Sequence, residues 1–500
     1  MTASPLSRRT FLRGSALAAC AVAAGGALSA CGSSGSGSGS GSKSGSALTY
    51  WDWYVTQAPW VDGEVSRFQK AHPGVTVRKT TQVSAKYADL VALAYRGGST
   101  PDVFMVPQSP GLAEQVDRGW LLPLDQWATP AWQAGFPGGT FIEGANVFGG
   151  KVYSAPLKGS APQYQLYVHN GVFRSAGLTN PDGSVKVPTT WDEVSAAADT
   201  ITRKSGGRTY GLGFGNGDNM GLMAWWLDLF VRGAGAPGGA PSGTGTGLDL
   251  RVGSWTYASD RSYADFLELM VQWKQRGYFY PNSLSLSDEA ARAFFERGKF
   301  GMTVGGVWNQ PEWTQHKFTD YSLVTLPSPG PTPKAYYYAD PVGTGAFAAV
   351  SARTRHPQQA FQWVDALTSA AAGRRWVQDL NGVSVHPADN AADGINSKPF
   401  AAFVAMTRQE LTGPVPVVRN PDLAGVTPQA PKSDIGDLVT GVYTGQIKDV
   451  RSALSSLADQ KGRLLSTAVA AVAKTGKKAA MSDYVFADWD PTVPYTTKKA

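Results

Sequence analysis

Cysteine and histidine are scarce in this sequence. Its 500 residues include 2 Cys, at Cys20 and Cys31, and 5 His that lie far apart. No His-Glu-x-x-His pattern and no closely spaced Cys pair is present, so the sequence predicts no metal site. Because both cysteines precede residue 32, no internal disulfide can join parts of the later chain. The folded body must therefore be stabilised by an ordinary hydrophobic core.

Catalytic and nucleotide-binding motifs are also missing. There is no Gly-x-Ser-x-Gly elbow and no Gly-Lys-Ser/Thr phosphate loop. A Gly-x-Gly-x-x-Gly spacing at Gly233–Gly238 follows an aromatic helical stretch and contains Pro237, which is typical of a loop. Pairs such as Glu410 and Asp422 could be imagined in a glycosidase, but among 38 acidic residues such a pair carries almost no information. We therefore predict no catalytic residue and no cofactor.

Long apolar runs and dense charge are absent as well. After the first 30 residues, no stretch is apolar for the ~18 residues that suggest a membrane-spanning helix. Lys and Arg number 45 against 38 Asp and Glu, and the basic residues are mostly scattered, whereas a nucleic-acid surface needs a dense basic stripe. The excess is instead aromatic, with 16 Trp and 19 Tyr. We expect part of it in the core and part at a ligand with flat faces, and no nucleic acid as a partner.

Residues 1–30 have the organisation of an export signal. The start is basic, with Arg8 and Arg9, and Gly14–Ala27 is apolar but too short for a permanent anchor. "SRRTFLR" resembles the twin-arginine export signal, which implies an export role for Arg8 and Arg9. "LSAC" resembles the bacterial lipobox, which implies cleavage before Cys31 and a lipid on its thiol. A cleaved signal followed by a chance cysteine is the alternative.

The segment after Cys31 is a predicted tether. Gly32–Ser46 contains only Gly and Ser apart from Lys43. Such a composition behaves as a flexible coil of roughly 20 Å r.m.s. end-to-end length. We expect residues 1–30 to be a signal peptide and residues 31–46 to be a lipidated Cys with a Gly/Ser tether. The protein would then be exported and anchored to the outer face of the cytoplasmic membrane as a lipoprotein.

Strands and helices alternate at the start of the body. "ALTYWDWY" at 47–54 predicts a buried strand, followed by a helix and a second strand. The pattern recurs with a helix at 87–96, a strand at 101–106 and a helix at 112–121. This order predicts an α/β fold with a mostly parallel sheet, whose ligand lies beyond the carboxyl ends of the strands. The residues at that edge are Trp51, Asp52, Trp53, Gln108 and Ser109.

Eight short segments follow one another along the body: "AHPGVTV" (71–77), "GGSTPDVFMV" (97–106), "RGWLLPLDQW" (118–127), "GKVYSAPL" (150–157), "LYVHNGVFRSAGL" (166–178), "VPTTWDEVSAAADTI" (187–201), "RGKFGMTVGGVWN" (297–309) and "HPQQAFQWVDALTS" (356–369). In this order and spacing they resemble the landmarks of the extracellular solute-binding proteins of the family 1 type, the ABC-importer receptors to which the maltose-binding proteins belong. The resemblance extends from about residue 47 to about 385, and more loosely to about 470.

The resemblance implies a two-lobe periplasmic-binding-protein fold in which each lobe is a mostly parallel sheet flanked by helices, with the ligand cleft between the lobes. Lobe one would contain 47–155 with about 331–385, and lobe two 156–330 with about 386–500. The implied activity is that of a monomeric, non-catalytic receptor without cofactor or metal. Such a receptor captures a sugar or oligosaccharide by lobe closure and delivers it to the subunits of an ABC permease.

Sugar recognition needs aromatic platforms beside planar amides and carboxylates. By the resemblance, the strand-end Gly-x-Trp of the family falls at Trp308, which would stack on a sugar ring, with Asn309 beside it. Trp51 and Trp53 point to one side of their strand and Asp52 to the other, so all three cannot face the ligand if the strand continues that far. The other candidate ligand residues are Gln108 and Ser109 after the strand at 101–106, Gln163 and Tyr164 at the first crossing between lobes, Asp218, Asn219 and Trp225 in a Gly-rich loop and the following helix, and Tyr338 near the return to lobe one.

Two other functions remain open on sequence grounds. The first is a receptor of the same build for a non-sugar solute. The second is a surface-anchored carbohydrate-active enzyme, which would use similar aromatic platforms and two carboxylates on opposite sides of the scissile bond. The sequence contains no catalytic signature for the enzyme.

Overall fold

The computed structural model describes residues 46–107, 109–217, 222–239, 247–334, 336–338, 347–391 and 394–498. These residues all lie in the unit of the chain that begins at Gly45. They form a two-lobe α/β fold, and each lobe is built around its own sheet and its own large hydrophobic core. In the part of the chain that is described, no helix is both long enough and apolar enough to cross a bilayer.

The elements are named in chain order. The strands are β1 (Ser46–Asp52), β2 (Val75–Thr81), β3 (Val103–Met105), β4 (Val147–Phe148), β5 (Lys151–Val152), β6 (Ser154–Pro156), β7 (Gln165–His169), β8 (Tyr210–Leu212), β9 (Leu248–Asp249), β10 (Ser254–Trp255), β11 (Phe300–Gly305), β12 (Tyr321–Val324), β13 (Tyr336–Tyr338), β14 (Phe347–Val350) and β15 (Glu410–Thr412). The helices are α1 (Ala58–Ala71), α2 (Ser84–Gly97), α3 (Leu112–Asp117), α4 (Pro130–Gln133), α5 (Asn170–Ser175), α6 (Trp191–Lys204), α7 (Leu222–Gly233), α8 (Arg261–Gln275), α9 (Asp288–Glu296), α10 (Asn309–Gln315), α11 (Pro357–Thr368), α12 (Ala370–Gln378), α13 (Lys398–Met406), α14 (Pro416–Arg419), α15 (Ile435–Thr444) and α16 (Val450–Ala473).

Sheet one has the strand order β2-β1-β3-β14-β6. β1 pairs in parallel with β2 and β3, as the strand-helix-strand pattern predicts. β14, which returns to the sheet late in the chain, is antiparallel to β3 and to β6. Alternate residues of β1 are fully buried on one face, at Leu48, Tyr50 and Asp52. The carboxyl ends of β1, β2 and β3 therefore lie along one edge of lobe one.

Helices from the beginning and the end of the lobe-one sequence complete its core. Trp363 of α11 packs edge-on against Tyr50 of β1 and against Phe68 of α1, with ring centroids 5.5 Å and 5.1 Å apart. The carboxylate of Glu64 on α1 is buried and accepts two hydrogen bonds from Arg375 of α12, at 2.6 Å and 2.8 Å. The two ends of this lobe are thus joined by both ring packing and a bidentate ion pair.

Sheet two has the order β12-β7-β11-β8 and is less parallel than the sequence pattern predicts. β11 is parallel to β8, but β7 runs antiparallel to both β11 and β12. The reason is topological, since β7 enters the lobe from a crossing segment and not through the strand-helix-strand connection that makes neighbours parallel. The two-lobe α/β architecture is confirmed, with a mixed sheet in each lobe.

Aromatic side chains fill the core of lobe two. α6 begins with a capping box between Thr190 and Glu193, and it packs on the sheet beside α7 and α8. Trp226 and Trp273, on α7 and α8, are almost completely buried, and Phe230 packs 4.5 Å from Phe266. Much of the tryptophan excess of this chain is therefore structural.

The end of the chain is built into the surface of lobe two. Phe486 and Trp489 are buried with Leu250 of the β9–β10 hairpin. The guanidinium of Arg419 lies 3.3 Å from the ring centroid of Phe486. The backbone N–H of Tyr495 donates to the carbonyl of Thr412 on β15 at 2.9 Å.

We call residues 410–425 together with 475–498 the terminal brace, because they also contact lobe one. The 3-10 helix Pro421–Gly425 lies against α3, whose Leu112 packs on the core of lobe one. Leu423 in that short helix is buried against α16 of lobe two. Lys477 Nζ lies 3.2 Å from Asp117 Oδ1 at the end of α3. The brace therefore connects the two lobes through α3.

Candidate functional site

Several strand ends of sheet two meet at one edge. Gly305, the last residue of β11, is paired with Gln165, the first residue of β7, and the parallel strand β8 ends beside β11. Tyr164 immediately precedes β7, and Trp308 follows β11 by three residues. This antiparallel register brings Tyr164 and Trp308 to the same edge although they are far apart in the sequence.

An aromatic cluster of Tyr164, Trp225 and Trp308 occupies this edge. Tyr164 and Trp225 are stacked, with centroids 5.0 Å apart and planes inclined by 21°. Trp308 meets both of them edge-on, at 6.3 Å and 5.5 Å. Tyr164 is 1% exposed and Trp225 is 8% exposed, whereas Trp308 is only partly buried. Trp308 is thus the most exposed member of the cluster, and the rings of the other two pack against it.

The two glycines of "GGVWN" are required by the side chains that follow them. A Cβ at Gly306 would overlap the Cε3, Cζ3 and Cη2 atoms of the Trp308 indole, which lies over this residue. A Cβ at Gly305 would overlap Nδ2 of Asn309. The indole and the amide are therefore folded back onto the end of β11 by the absence of side chains there.

Asn309 faces the interior of lobe two. It is 1% exposed, and its Oδ1 has no hydrogen-bond partner among the described residues. The neighbouring Gln310 is completely buried and accepts a hydrogen bond from Tyr321 Oη at 3.3 Å. In this conformation the Asn309 amide is closed off from solvent, so its contact with a ligand stays a prediction.

The strand-end edge of sheet one carries Trp51, Asp52 and Trp53. The two tryptophans are partly buried, and the Trp53 ring packs 4.8 Å from Tyr87 of α2. Asp52 points to the opposite face and is 0% exposed, where its Oδ1 accepts a hydrogen bond from the Tyr54 N–H at 3.1 Å. Burial raises the pKa of this carboxyl and outweighs the lowering by the Thr81 hydroxyl, the Tyr54 N–H and Lys79. Asp52 thus lies on the core side of β1, and a direct ligand contact stays a prediction that the described conformation does not favour.

The remaining predicted ligand residues have different placements. Ser109 is exposed beyond the end of β3, and Gln163 is partly buried beside Tyr164. Gln108, Asp218 and Asn219 lie outside the described residues, as do Cys31, Arg8 and Arg9. Tyr338 pairs through its backbone with Thr412, and its side chain is outside the description.

The first crossing segment between the lobes contains one charged residue, Lys158, that the sequence pattern did not single out. The Gly159 N–H donates to the Val383 carbonyl at 2.9 Å, and the Ser160 hydroxyl donates to the Glu410 carboxylate. Burial lowers the pKa of Lys158, and the negative charge of Glu410 acts in the opposite direction. One sequence feature could have indicated this charge interaction, namely the position of Lys158 inside the Pro- and Gly-rich "PLKGSAPQ". A cation in a segment that passes between two lobe cores needs a nearby anion.

The side chains described here offer no obvious metal centre. Within the described ranges, no group of three or more His, Cys, Asp or Glu side chains is arranged to hold a metal ion. The strand ends instead carry partly buried aromatic rings, which are Trp308 in lobe two and Trp51 and Trp53 in lobe one. This arrangement suits a neutral ligand with apolar faces.

Comparison with known proteins agrees with the fold. The sequence pattern of the bacterial extracellular solute-binding protein family matches residues 52–374. None of the curated protein sequences compared is significantly similar to the chain. Many solved structures share the fold.

Three of these structures illustrate the likeness. A protein studied for xylan utilisation in Caldanaerobius polysaccharolyticus is 18% identical, with a TM-score of 0.62 over 83% of this chain and 99% of that one. The GacH receptor of Streptomyces glaucescens, determined unliganded and with acarbose, is 17% identical, with a TM-score of 0.61 over 84% of this chain and 98% of that one. The maltose/maltodextrin-binding domain MalE of Bdellovibrio bacteriovorus, bound to maltotriose, is 18% identical, with a TM-score of 0.60 over 83% of this chain and 100% of that one. At these identities the likeness establishes the fold.

Proposed function

Because this chain belongs to the bacterial extracellular solute-binding protein family, we propose that it is a non-catalytic receptor that captures a saccharide between its two lobes and delivers it to an ABC permease. The lobes would close on the ligand as rigid bodies joined by the crossing segments. The receptor acts as a monomer and needs no cofactor.

The observation that carries the saccharide assignment is the position of Trp308. Its indole is partly exposed at the strand-end edge of lobe two, and it is held there by Tyr164, Trp225 and Gly306. A fixed aromatic face with flanking polar groups is what the C–H face of a pyranose needs. Structures of the same fold determined with acarbose and with maltotriose bound support the same ligand class.

The test is Trp308→Ala, titrated calorimetrically with the best ligand from a sugar panel. Loss of the stacking face and of its buried area should lower ligand affinity by roughly one hundredfold or more. The melting temperature of the free protein should change little, because the ring is only partly buried. Trp132→Ala is the matched control, since it removes a partly buried indole whose Nε1 donates to Asp365 in lobe one.

Three outcomes would oppose parts of this proposal. A Trp308→Ala variant that is strongly destabilised but binds the ligand normally would place Trp308 in the core and the site elsewhere. Hydrolysis of panel sugars by the wild-type protein would show that the protein is a carbohydrate-active enzyme. A wild-type protein that binds only non-sugar solutes would keep the receptor role and reject the saccharide.

We further propose that Cys31 is the lipid anchor and that Arg8 and Arg9 direct export by the twin-arginine route. The support is the sequence, with "SRRTFLR" before an apolar stretch and "LSAC" before a Gly/Ser tether. Cys31→Ser should release the protein from membranes or stop its maturation, as followed by fractionation and immunoblotting. Cys20→Ser is the control, because it changes a cysteine of the segment that is removed. A processed, membrane-bound Cys31→Ser protein would refute the anchor.

A further inference from the structure

Among the described residues, few large hydrophobic side chains are exposed, and two of them lie at the strand-end edge of lobe one. Val55 is 52% exposed and Val83 is 64% exposed. Val55 comes shortly after β1 and Val83 shortly after β2, and the Gln82 N–H donates to the Asp52 carbonyl at 2.8 Å, which ties these two strand ends together. We call Val55, Val83 and the neighbouring Trp53 the valine rim.

The backbone of the valine rim is hydrogen-bonded at both valines. The Val55 N–H donates to the Trp53 carbonyl at 3.0 Å, and the Val83 carbonyl accepts from the Lys86 N–H at 2.9 Å in the first turn of α2. Trp53 is fixed by its packing on Tyr87. The backbone at both valines is therefore fixed by hydrogen bonds, and both side chains are exposed beside the ends of β1 and β2.

Val83 does not stabilise the N-terminus of the helix that it precedes. It is the N-cap residue of α2, and it gives no side-chain hydrogen bond to the free N–H groups of the first turn. Ser, Thr, Asp and Asn are the residues that stabilise this position, and Val is among the poorest. An exposed Val at a helix N-cap is thus unfavourable for both solvation and capping, and a ligand contact would offset that.

The valine rim lies at the far end of the edge from the crossing between the lobes. The first crossing leaves from β6, which is one edge of sheet one, whereas β2 is the opposite edge. Four strand-to-strand steps of about 4.8 Å separate them, which places the Val83 end roughly 19 Å from the crossing. Tyr164, which supports Trp308, directly follows that crossing. One sugar ring on Trp308 does not cover this distance.

We infer that the valine rim is a distal apolar subsite and that the ligand is an elongated oligosaccharide. One ring stacks on Trp308, and the C–H face of a ring at the far end contacts Val55 and Val83. The inference rests on the proposed saccharide function and adds the length of the ligand and the residues that select it. A small solute would leave the two valines uncovered.

The experiment compares Val83→Thr and Val55→Thr with the wild type. Threonine keeps the shape of valine, replaces one methyl with a hydroxyl and is a better N-cap, so Val83→Thr should melt at the same or a higher temperature. Calorimetric titration uses one homologous saccharide series, from its shortest binding member to its longest. Each variant should lower affinity for the longest member by about threefold to tenfold and leave affinity for the shortest unchanged.

The control variant is Val252→Thr, which alters an equally exposed valine, 59% exposed, in the β9–β10 turn of lobe two. It should leave binding of every member unchanged. Equal losses at all lengths, or no loss at any length, would overturn the distal subsite while the saccharide function stands. Absence of saccharide binding by the wild-type protein would instead reject the proposed function itself.

Discussion

At the scale of single residues, Asp52 shows what a pattern of strand alternation can and cannot predict. The alternation correctly separates Asp52 from Trp51 and Trp53. It does not reveal that the Asp52 side of β1 is covered by α11 and α12, which arrive some three hundred residues later and bring Trp363 and Trp376. The edge position of Asp52 was predictable from the sequence, whereas its complete burial depended on these long-range contacts.

Asp52 makes stability depend on pH. Burial raises its pKa, and the groups that face it are the phenols of Tyr50, Tyr54 and Tyr87, with Lys79 as an opposing cation and Asp62 as a like charge. The folded state therefore holds the proton more tightly than the unfolded state. Its contribution to stability is complete below the ordinary pKa of about 3.9 and is lost as the pH rises through the folded pKa.

We therefore expect Asp52→Asn to gain stability relative to the wild type as the pH rises from 4 to 7. The gain at neutral pH should be about 1.4 kcal/mol for each unit by which burial raises the pKa. Urea unfolding across this pH range measures it. Asp62→Asn is the control, because Asp62 is an exposed surface partner of Lys79 and its replacement should change stability by less than about 1 kcal/mol. A difference between Asp52→Asn and wild type that stays constant with pH would contradict the assignment.

At the scale of elements, the turn from β11 into α10 sets the position of the Trp308 ring. The sequence singled out Trp308 through "GGVWN", but the partners of its ring come from the start of β7 and from α7. No spacing in the sequence links Tyr164, Trp225 and Trp308, because the antiparallel β7–β11 register creates their proximity. The position of Trp308 at a strand end was therefore predictable, and the ring cluster around it was not.

Gly306→Ala tests this turn without altering any aromatic residue. The backbone at Gly306 is not in the left-handed region, so alanine is accepted there, but its Cβ would overlap the Trp308 indole. The ring must move, and ligand affinity should fall by at least tenfold while the free protein loses no more than about 1–3 kcal/mol of stability. Gly138→Ala, where the added Cβ has open space, is the control for titration and for thermal melts. Normal ligand affinity in Gly306→Ala would show that the orientation of the ring is unimportant.

At the scale of the whole molecule, the landmarks of the sequence predicted two lobes with a first crossing at Gln163 and Tyr164, but not the strand order of sheet two. Strand-helix alternation predicted the parallel pairing of β1 with β2 and β3. The mixed order of sheet two follows from a crossing segment that carries no periodic pattern. The packing of residues 475–498 could not be predicted from the sequence either, because it depends on contacts with Leu250, Thr412 and Arg419 in distant segments.

The terminal brace has a consequence for the measured dissociation constant of the ligand. If the lobes rotate on binding, the contact of Pro421–Gly425 with α3 must slide and the Lys477–Asp117 pair must re-form or break. The two side chains are 38% and 52% exposed, so the pair contributes about 0–1 kcal/mol, which is at most roughly a fivefold shift in a two-state equilibrium. An ion pair of that strength shifts the equilibrium between open and closed lobes slightly and does not prevent closure. The measured dissociation constant would then include the small free energy of breaking or re-forming this ion pair outside the cleft. Because salt screens the pair, ionic strength would change the dissociation constant without altering any ligand contact.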